Sequence, residues 1–222
     1  MMVFLDAIRD LLFPVNCPLC LTETQRSGIC KGCIALLEKA MLSDGRHCLE
    51  TDVGKVKCST VLSYDYEQVR RLEIYLKKTP DKTAASYLAC YLAREVRAFG
   101  IEGEMFITYV PRSDEGLRDN GFDQAKLLAK ILSRFVPDAR FASFLGRKGK
   151  SVAQKSLSGK ERKENVKGKF CALKTSASPK NIVIVDDVFT TGSSLAECVK
   201  VLKEAFPTVK LYCVTVAKTC GR

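Results

Sequence analysis

Asn181-Ile182-Val183-Ile184-Val185-Asp186-Asp187-Val188-Phe189-Thr190-Thr191-Gly192-Ser193-Ser194 is the stretch from which the rest of the chain is read. Ile182 to Val185 are four β-branched apolar residues in a row, too few for a buried helix, and they predict a strand covered on both faces, as in a parallel sheet. Two carboxylates stand where that strand ends. Thr190-Thr191-Gly192 then predicts a tight turn, with Gly192 free to adopt backbone angles that other residues avoid. A helix follows, with Leu195, Val199, Leu202 and Phe206 on one face and Ser194 and Glu197 at capping-box spacing at its start.

A strand, a hydroxyl-rich turn and a helix N-terminus together form an anion site, because unpaired N–H groups and the positive end of the helix dipole converge there. Phosphate suits it. The adjacent carboxylates suit the cis-diol of a ribose, or help to hold Mg²⁺ through its oxygen shell. Taken singly, each residue also fits an ordinary crossover, with a cap, a turn glycine and a solvated strand end; it is the ordered set that points to a sugar phosphate.

The chain has 222 residues, enough for one domain with a sizeable core and a small appendage. Its apolar runs fall short of the roughly 18 residues a membrane span needs. Asp6, Arg9 and Asp10 interrupt the N-terminal segment, which reads as a short amphipathic helix with Phe4, Ile8, Leu11 and Leu12 rather than a secretory signal. A cytoplasmic location without membrane insertion is expected. The net charge of +11 lies wholly beyond residue 60, since the first 60 residues carry seven Lys/Arg and seven Asp/Glu. Such a field favours polyanions, phosphorylated metabolites and nucleic acid alike.

Four of the eleven cysteines, Cys17, Cys20, Cys30 and Cys33, have the spacing C-x₂-C-x₉-C-x₂-C. Two such knuckles close a tetrahedron of thiolates around Zn²⁺, and the metal supplies the folding free energy that a segment this short lacks. His47 and Cys48 follow on a predicted loop and read as surface residues beside a complete Cys₄ set. The expected division is residues 1–56, an N-terminal helix and Cys₄ zinc ribbon, and residues 57–222, the main domain.

Within that domain the pattern predicts a strand at 57–64, then a helix with Val69, Leu72 and Leu76 inward and another with Ala84, Leu88, Tyr91, Leu92 and Phe99 inward. Lys77 and Lys78 read as a solvated helix end or as partners of a phosphate. A strand at 105–110 stops at Pro111-Arg112-Ser113. The segment from Gly116 leads into a helix with Ala125, Leu128, Ala129, Leu132 and Phe135 inward. Arg112 and Arg118 are candidates for a pyrophosphate, which guanidinium groups grip through paired hydrogen bonds. Residues 146–169 hold nine Lys/Arg and two Asp/Glu. They form a cationic loop, either a solvated insertion or a cover for a bound polyphosphate. Gly146 and Gly149 stand too close for a P-loop, and no strand leads into them. Strands near 57, 105, 170, 182 and 210 complete a mostly parallel sheet.

The central stretch resembles the phosphoribosyl-pyrophosphate motif of type I phosphoribosyltransferases. That resemblance implies that Asp186 and Asp187 face the ribose, with Asp187 handling protons, and that Thr190, Thr191, Gly192, Ser193 and Ser194 surround the 5′-phosphate. With the cysteines, and with Gln154-x-x-Leu157 followed by Arg162-x-x-Asn165-Val166-x-Gly168-x-Phe170, nearly the whole chain is similar to the ComF competence family. The family implies a zinc ribbon joined to a type I phosphoribosyltransferase-like α/β domain, a mostly parallel sheet flanked by helices. It further implies phosphoribosyl pyrophosphate with Mg²⁺ as ligand, Pro111, Arg112, Arg118, Gln154, Arg162 and Asn165 about the pyrophosphate or in the loop, and Cys17, Cys20, Cys30 and Cys33 on structural Zn²⁺. Its expected role is in DNA uptake during natural transformation, beside single-stranded DNA and an ATP-driven helicase. Two departures stand out: Asn120-Gly121-Phe122-Asp123-Gln124 replaces the usual Arg-Gly-Phe-Asn-Gln, and His47-Cys48 stands where a further cysteine pair is common. The first removes a positive charge near the pyrophosphate, so a non-catalytic module that binds single-stranded DNA or a partner and retains the ribose-phosphate pocket stands as the alternative to a phosphoribosyl-transferring enzyme.

Overall fold

Alternation along the central strand builds the core on both sides of one sheet. In the computed structural model, which describes residues 15–24, 28–148 and 168–219, Asn181–Phe189 forms β9. Val183 and Val185 enter one apolar cluster, while Ile182 and Ile184 enter the other; all four are fully buried. The doubly covered strand expected from the four β-branched residues is therefore observed.

The order of elements begins with a small hairpin, β1 (Val15–Asn16) and β2 (Glu23–Thr24), and the helix α1 (Lys31–Lys39). Then come β3 (Arg46–Thr51), β4 (Gly54–Ser63), α2 (Glu67–Lys78), α3 (Lys82–Ala98), β5 (Met105–Tyr109), α4 (Asp114–Asn120) and α5 (Gln124–Phe135). β6 (Ala139–Phe141), β7 (Leu145–Arg147), β8 (Phe170–Ala172), β9, α6 (Ser193–Ala205) and β10 (Lys210–Lys218) complete it. Six strands form the main sheet in the order β3-β4-β10-β9-β5-β6, parallel throughout except for β3. Helices α2, α3 and α5 contribute to one cluster, through Leu72, Leu88 and Leu128 among others. Helix α6 contributes Leu195, Val199 and Leu202 to the other. No helix among the described residues is long and apolar enough to cross a membrane.

Four details differ from the sequence reading. The strand near 170 does not join the main sheet; β8 pairs antiparallel with β7 in a two-stranded sheet of its own. The main sheet instead gains β3, which puts His47 and Cys48 on a strand where a loop was expected and pairs with β4 in a hairpin running across the expected boundary between residues 56 and 57. Helix α6 starts at Ser193 after Gly192, with no side-chain cap, so Ser194 and Glu197 form no capping box; the Glu197 carboxylate accepts from Gly168 N at 2.6 Å. Phe135, at the last position of α5, is 39% exposed because the helix ends there at the surface. The expected N-terminal amphipathic helix lies outside the described residues.

The cysteine-bearing segment shares the large core. Cys17, Leu19, Cys33 and Leu37 belong to the same buried cluster as Val61, Leu72 and Leu76, and Arg71 Nη1 donates to Leu19 O at 3.3 Å.

Candidate functional site: a cationic and acidic cleft at a strand switch

Parallel strands β4, β10, β9 and β5 all end on one edge of the sheet. β5 and β9 are neighbours, yet the chain leaves β5 toward β6 on one side and β9 toward β10 on the other. At such a switch point the two connections diverge and open a crevice, the usual ligand site of open α/β sheets. A cavity of 270 Å³ lies there, and Lys77, Arg112, Arg147, Asp186, Asp187 and Ser194 are among its walls.

Both aspartates lie within β9 and turn back on their own chain: Asp186 Oδ1 accepts from Asp187 N at 3.0 Å, and Asp187 Oδ1 from Val188 N at 2.7 Å. The second oxygen of Asp187 faces Lys77 Nζ at 3.4 Å. Burial, then the neighbouring Asp187 charge, pushes the Asp186 carboxyl well above the usual carboxylate range. Lys77 is raised as well: burial disfavours its charge, but its acidic surroundings, Asp187 foremost, outweigh that. Of the two readings open for Lys77, the structure places it at the cleft.

Gly192 has φ +71°, and a Cβ there would lie 2.7 Å from Leu49 Cδ1 and 2.9 Å from the Phe189 ring. This left-handed, crowded position is available only to glycine, and it aims the start of α6 at the cleft. Thr191 Oγ1 and Ser193 Oγ lie 2.7 Å apart, so the turn presents hydroxyls beside the first N–H groups of the helix. Thr191, Gly192 and Ser193 border a second, adjoining cavity, whose other wall is Leu49 to Asp52 of the β3–β4 hairpin. Thr190 is exposed beside them.

Across the cleft, Pro111 and Arg112 follow β5. Asp123 fixes that segment: its Oδ2 accepts from Arg112 N at 2.9 Å and its Oδ1 caps α5 through Lys126 N at 3.0 Å. Gly116 makes room for Arg112, since a Cβ there would lie 2.6 Å from the guanidinium Nε. Arg118 is exposed on α4 and does not line the cleft. Gln154, Arg162 and Asn165 lie outside the described residues. The two ends of their segment meet as an extension of the β7–β8 hairpin, with Lys148 N donating to Lys169 O at 2.8 Å. Beside it, Arg147 Nη1 donates to Pro111 O at 3.4 Å and its guanidinium lies over the Phe170 ring at 5.3 Å.

Sequence reasoning missed Arg147 as an individual wall residue, and it missed a buried pair at the cleft, Glu73 of α2 and the cleft-lining Gln124 of α5. Glu73 carried a signal: it lies between Val69, Leu72 and Leu76 on the apolar stripe, where a carboxyl is out of place.

The four thiol sulphurs of Cys17, Cys20, Cys30 and Cys33 all lie within 4.8 Å of one another. Tetrahedral Zn–S bonds of about 2.3 Å require S···S separations of roughly 3.8 Å, so this set can hold a metal such as zinc. Cys30 N and Cys33 N point at the sulphurs of Cys17 and Cys30, both at 3.4 Å. Hydrogen bonding with Thr22 is the main cause that lowers Cys20 to about 6, toward the thiolate a metal needs, while burial raises Cys33.

A DNA utilization protein YhgH of Salmonella typhimurium is 30% identical over 195 residues, 86% of this chain and 85% of that protein. The protein of the same name in Escherichia coli K12 is 30% identical over 198 residues, 87% of this chain and 86% of its own length. Competence protein F of Haemophilus influenzae is 36% identical over 86 residues, 38% of each chain. The chain belongs to the ComF competence family. No family model matches it. Among solved structures, the allosteric regulatory enzyme of purine biosynthesis has a TM-score of 0.44 at 18% identity, covering 77% of this chain and 35% of the enzyme. A hypoxanthine phosphoribosyltransferase from Staphylococcus aureus has a TM-score of 0.38 at 11% identity, covering 63% and 65%.

Against the ComF pattern, the departure at Asn120 has a structural consequence. Its side-chain amide donates to Gly116 O at 3.0 Å within α4, so no cation enters the cleft from that position.

Proposed function

We propose that the protein binds phosphoribosyl pyrophosphate with Mg²⁺ in the cytoplasm and serves the use of DNA taken up by the cell. The observation that carries this reading is the cleft in which the acidic pair and Ser194, at the start of α6, meet the cations Lys77, Arg112 and Arg147, while Thr191, Gly192 and Ser193 border the second cavity. In this reading Asp186 and Asp187 accept from the ribose hydroxyls. Thr190, Thr191, Ser193 and Ser194 hold the 5′-phosphate at the start of α6, and the three cations receive the pyrophosphate. Gln154, Arg162 and Asn165 join them from the segment beyond β7. Mg²⁺ would neutralise charge on the pyrophosphate, and the acidic pair puts negative charge where a cation entering with the ligand would lie. Zn²⁺ on the four cysteines serves structure alone. The DNA role follows the relatives named for DNA utilization and competence. Single-stranded DNA and an ATP-driven helicase are the corresponding partners.

With a nucleophile present, the same constellation would break the bond from ribose C1 to pyrophosphate, fixed cations stabilising the departing anion and Asp187 placed to handle the proton. A non-catalytic ligand sensor that holds single-stranded DNA or a partner is the second reading. It is favoured by one observation, the absence of a cation at Asn120 together with the outward Arg118.

Saturating phosphoribosyl pyrophosphate with Mg²⁺ should raise the thermal midpoint, by the equivalent of about 2.7 kcal/mol at a hundredfold excess over Kd. The double variant Asp186→Asn, Asp187→Asn should lose that shift, and a shift of wild-type size in the variant would remove the acidic pair from the site. Pyrophosphate release in the presence of candidate acceptors separates the enzyme from the sensor.

A further inference from the structure

Glu73 and Gln124 are 0% and 3% exposed, and they share one hydrogen bond, from Gln124 Nε2 to Glu73 Oε2 at 3.0 Å. Each retains a buried oxygen, Glu73 Oε1 and Gln124 Oε1, without a hydrogen-bond partner. With an ionised carboxylate both of these atoms are acceptors and neither has a donor. Buried polar groups are rarely left so, because nothing replaces the water they give up. One proton can satisfy both, since on Glu73 Oε1 it makes that atom a donor and the Gln124 amide oxygen is an acceptor without a partner.

The charged groups that face Glu73 are Lys77, one turn along the same helix, and Asp187 and Asp186 on β9; α5 presents the neutral Gln124. Burial, then the Asp187 charge, pushes Glu73 up to about 8, with Lys77 and Gln124 acting in the opposite direction. The position of Lys77 agrees with a neutral Glu73. An ionised glutamate four residues before a lysine attracts it along the helix, but Lys77 Nζ lies instead 3.4 Å from Asp187.

We propose that Glu73 is a positioning residue, held as the neutral acid in a reciprocal acid–amide pair with Gln124, which joins α2 to α5 and leaves the Lys77 cation to Asp187 and to an anionic ligand. The protonation state stands on the buried pair itself; the role toward a ligand rests on the function proposed above. The proton makes the wall of the cleft one charge more positive than the residue types alone imply. It thereby offsets part of what the Asn120 position lacks.

Glu73→Gln reproduces the shape and both hydrogen bonds of the neutral acid, whereas Glu73→Leu removes both. An infrared difference spectrum between unliganded wild type and Glu73→Gln at about pH 6 should show a protonated carboxyl band in the wild type alone, fading as pH passes about 8. Absence of that band overturns the proposal. In calorimetric titration with phosphoribosyl pyrophosphate and Mg²⁺, Glu73→Gln should bind within about twofold of wild type and Glu73→Leu about tenfold more weakly. An equal loss in both overturns it, since a carboxylate charge would then be what positions Lys77. A wild type that binds none of this ligand sinks the function proposed above and the positioning role with it, while the band reports the acid–amide pair independently.

Discussion

At Gly192 a backbone angle of φ +71° coincides with contacts that exclude a methyl group. Gly192→Ala is therefore expected to destabilise the protein by about 1–3 kcal/mol through strain, read from denaturant midpoints, and a variant as stable as wild type would contradict the crowding. Asp186 yields a pH dependence. Its folded pKa stands above the ordinary 3.8, so its stabilising contribution is complete below that value and is lost as pH rises through the folded pKa. Asp186→Asn cannot ionise, and the unliganded variant should lose less stability than wild type between acidic and alkaline pH. Thermal midpoints that run parallel across pH would contradict this. The acidic pair and Gly192 are legible in sequence because turn chemistry is local. Lys77 was left between two readings, and Arg147 went unnoticed, because their contributions arise when α2 and β7 are brought to a strand edge contributed by residues far away in the chain. Glu73 escaped notice because its partner, Gln124, is 51 positions distant.

Among the elements, long ones with strong periodicity were legible and short ones that pair at a distance were not. Ile182 to Val185 specify a doubly covered strand wherever they occur, and α2, α3 and α5 follow from their apolar stripes. β7 and β8, three residues each, find one another across the basic segment, and nothing in three residues distinguishes that pairing from a place in the main sheet. The cysteine knuckles were legible as a ligand set, but their relation to the rest was not. Two separate cores would predict that losing the metal unfolds the knuckles alone. Because Cys17, Leu19, Cys33 and Leu37 sit in the large cluster, metal removal or Cys33→Ser should instead lower the midpoint of the main unfolding transition, by several degrees in a domain of this size. Calorimetry of metal-loaded and chelator-treated protein reads this directly. An unchanged main transition would contradict the shared core, and protein purified without chelator should carry close to one zinc per chain.

On the scale of the molecule, the positive excess lies beyond residue 60, with nine cationic residues between 146 and 169. If these follow a nucleic-acid backbone, neutralising Lys148, Lys150, Lys155 and Lys163 should weaken single-stranded DNA binding alike for unrelated sequences. Each lost contact should flatten the logarithmic salt slope by about 0.7. A loop that serves only the small ligand would leave both slope and affinity unchanged. The doubly covered strand at the centre of the sheet and the edge that carries the site follow from one run of β-branched residues followed by two aspartates and a glycine turn. The central claim is that this edge binds a ribose phosphate through the acidic pair. Calorimetric titration of the full chain with phosphoribosyl pyrophosphate and Mg²⁺ tests it most directly: one site per chain is expected, lost in the Asp186→Asn, Asp187→Asn variant, whereas no binding by wild type, or equal binding by both proteins, would contradict it.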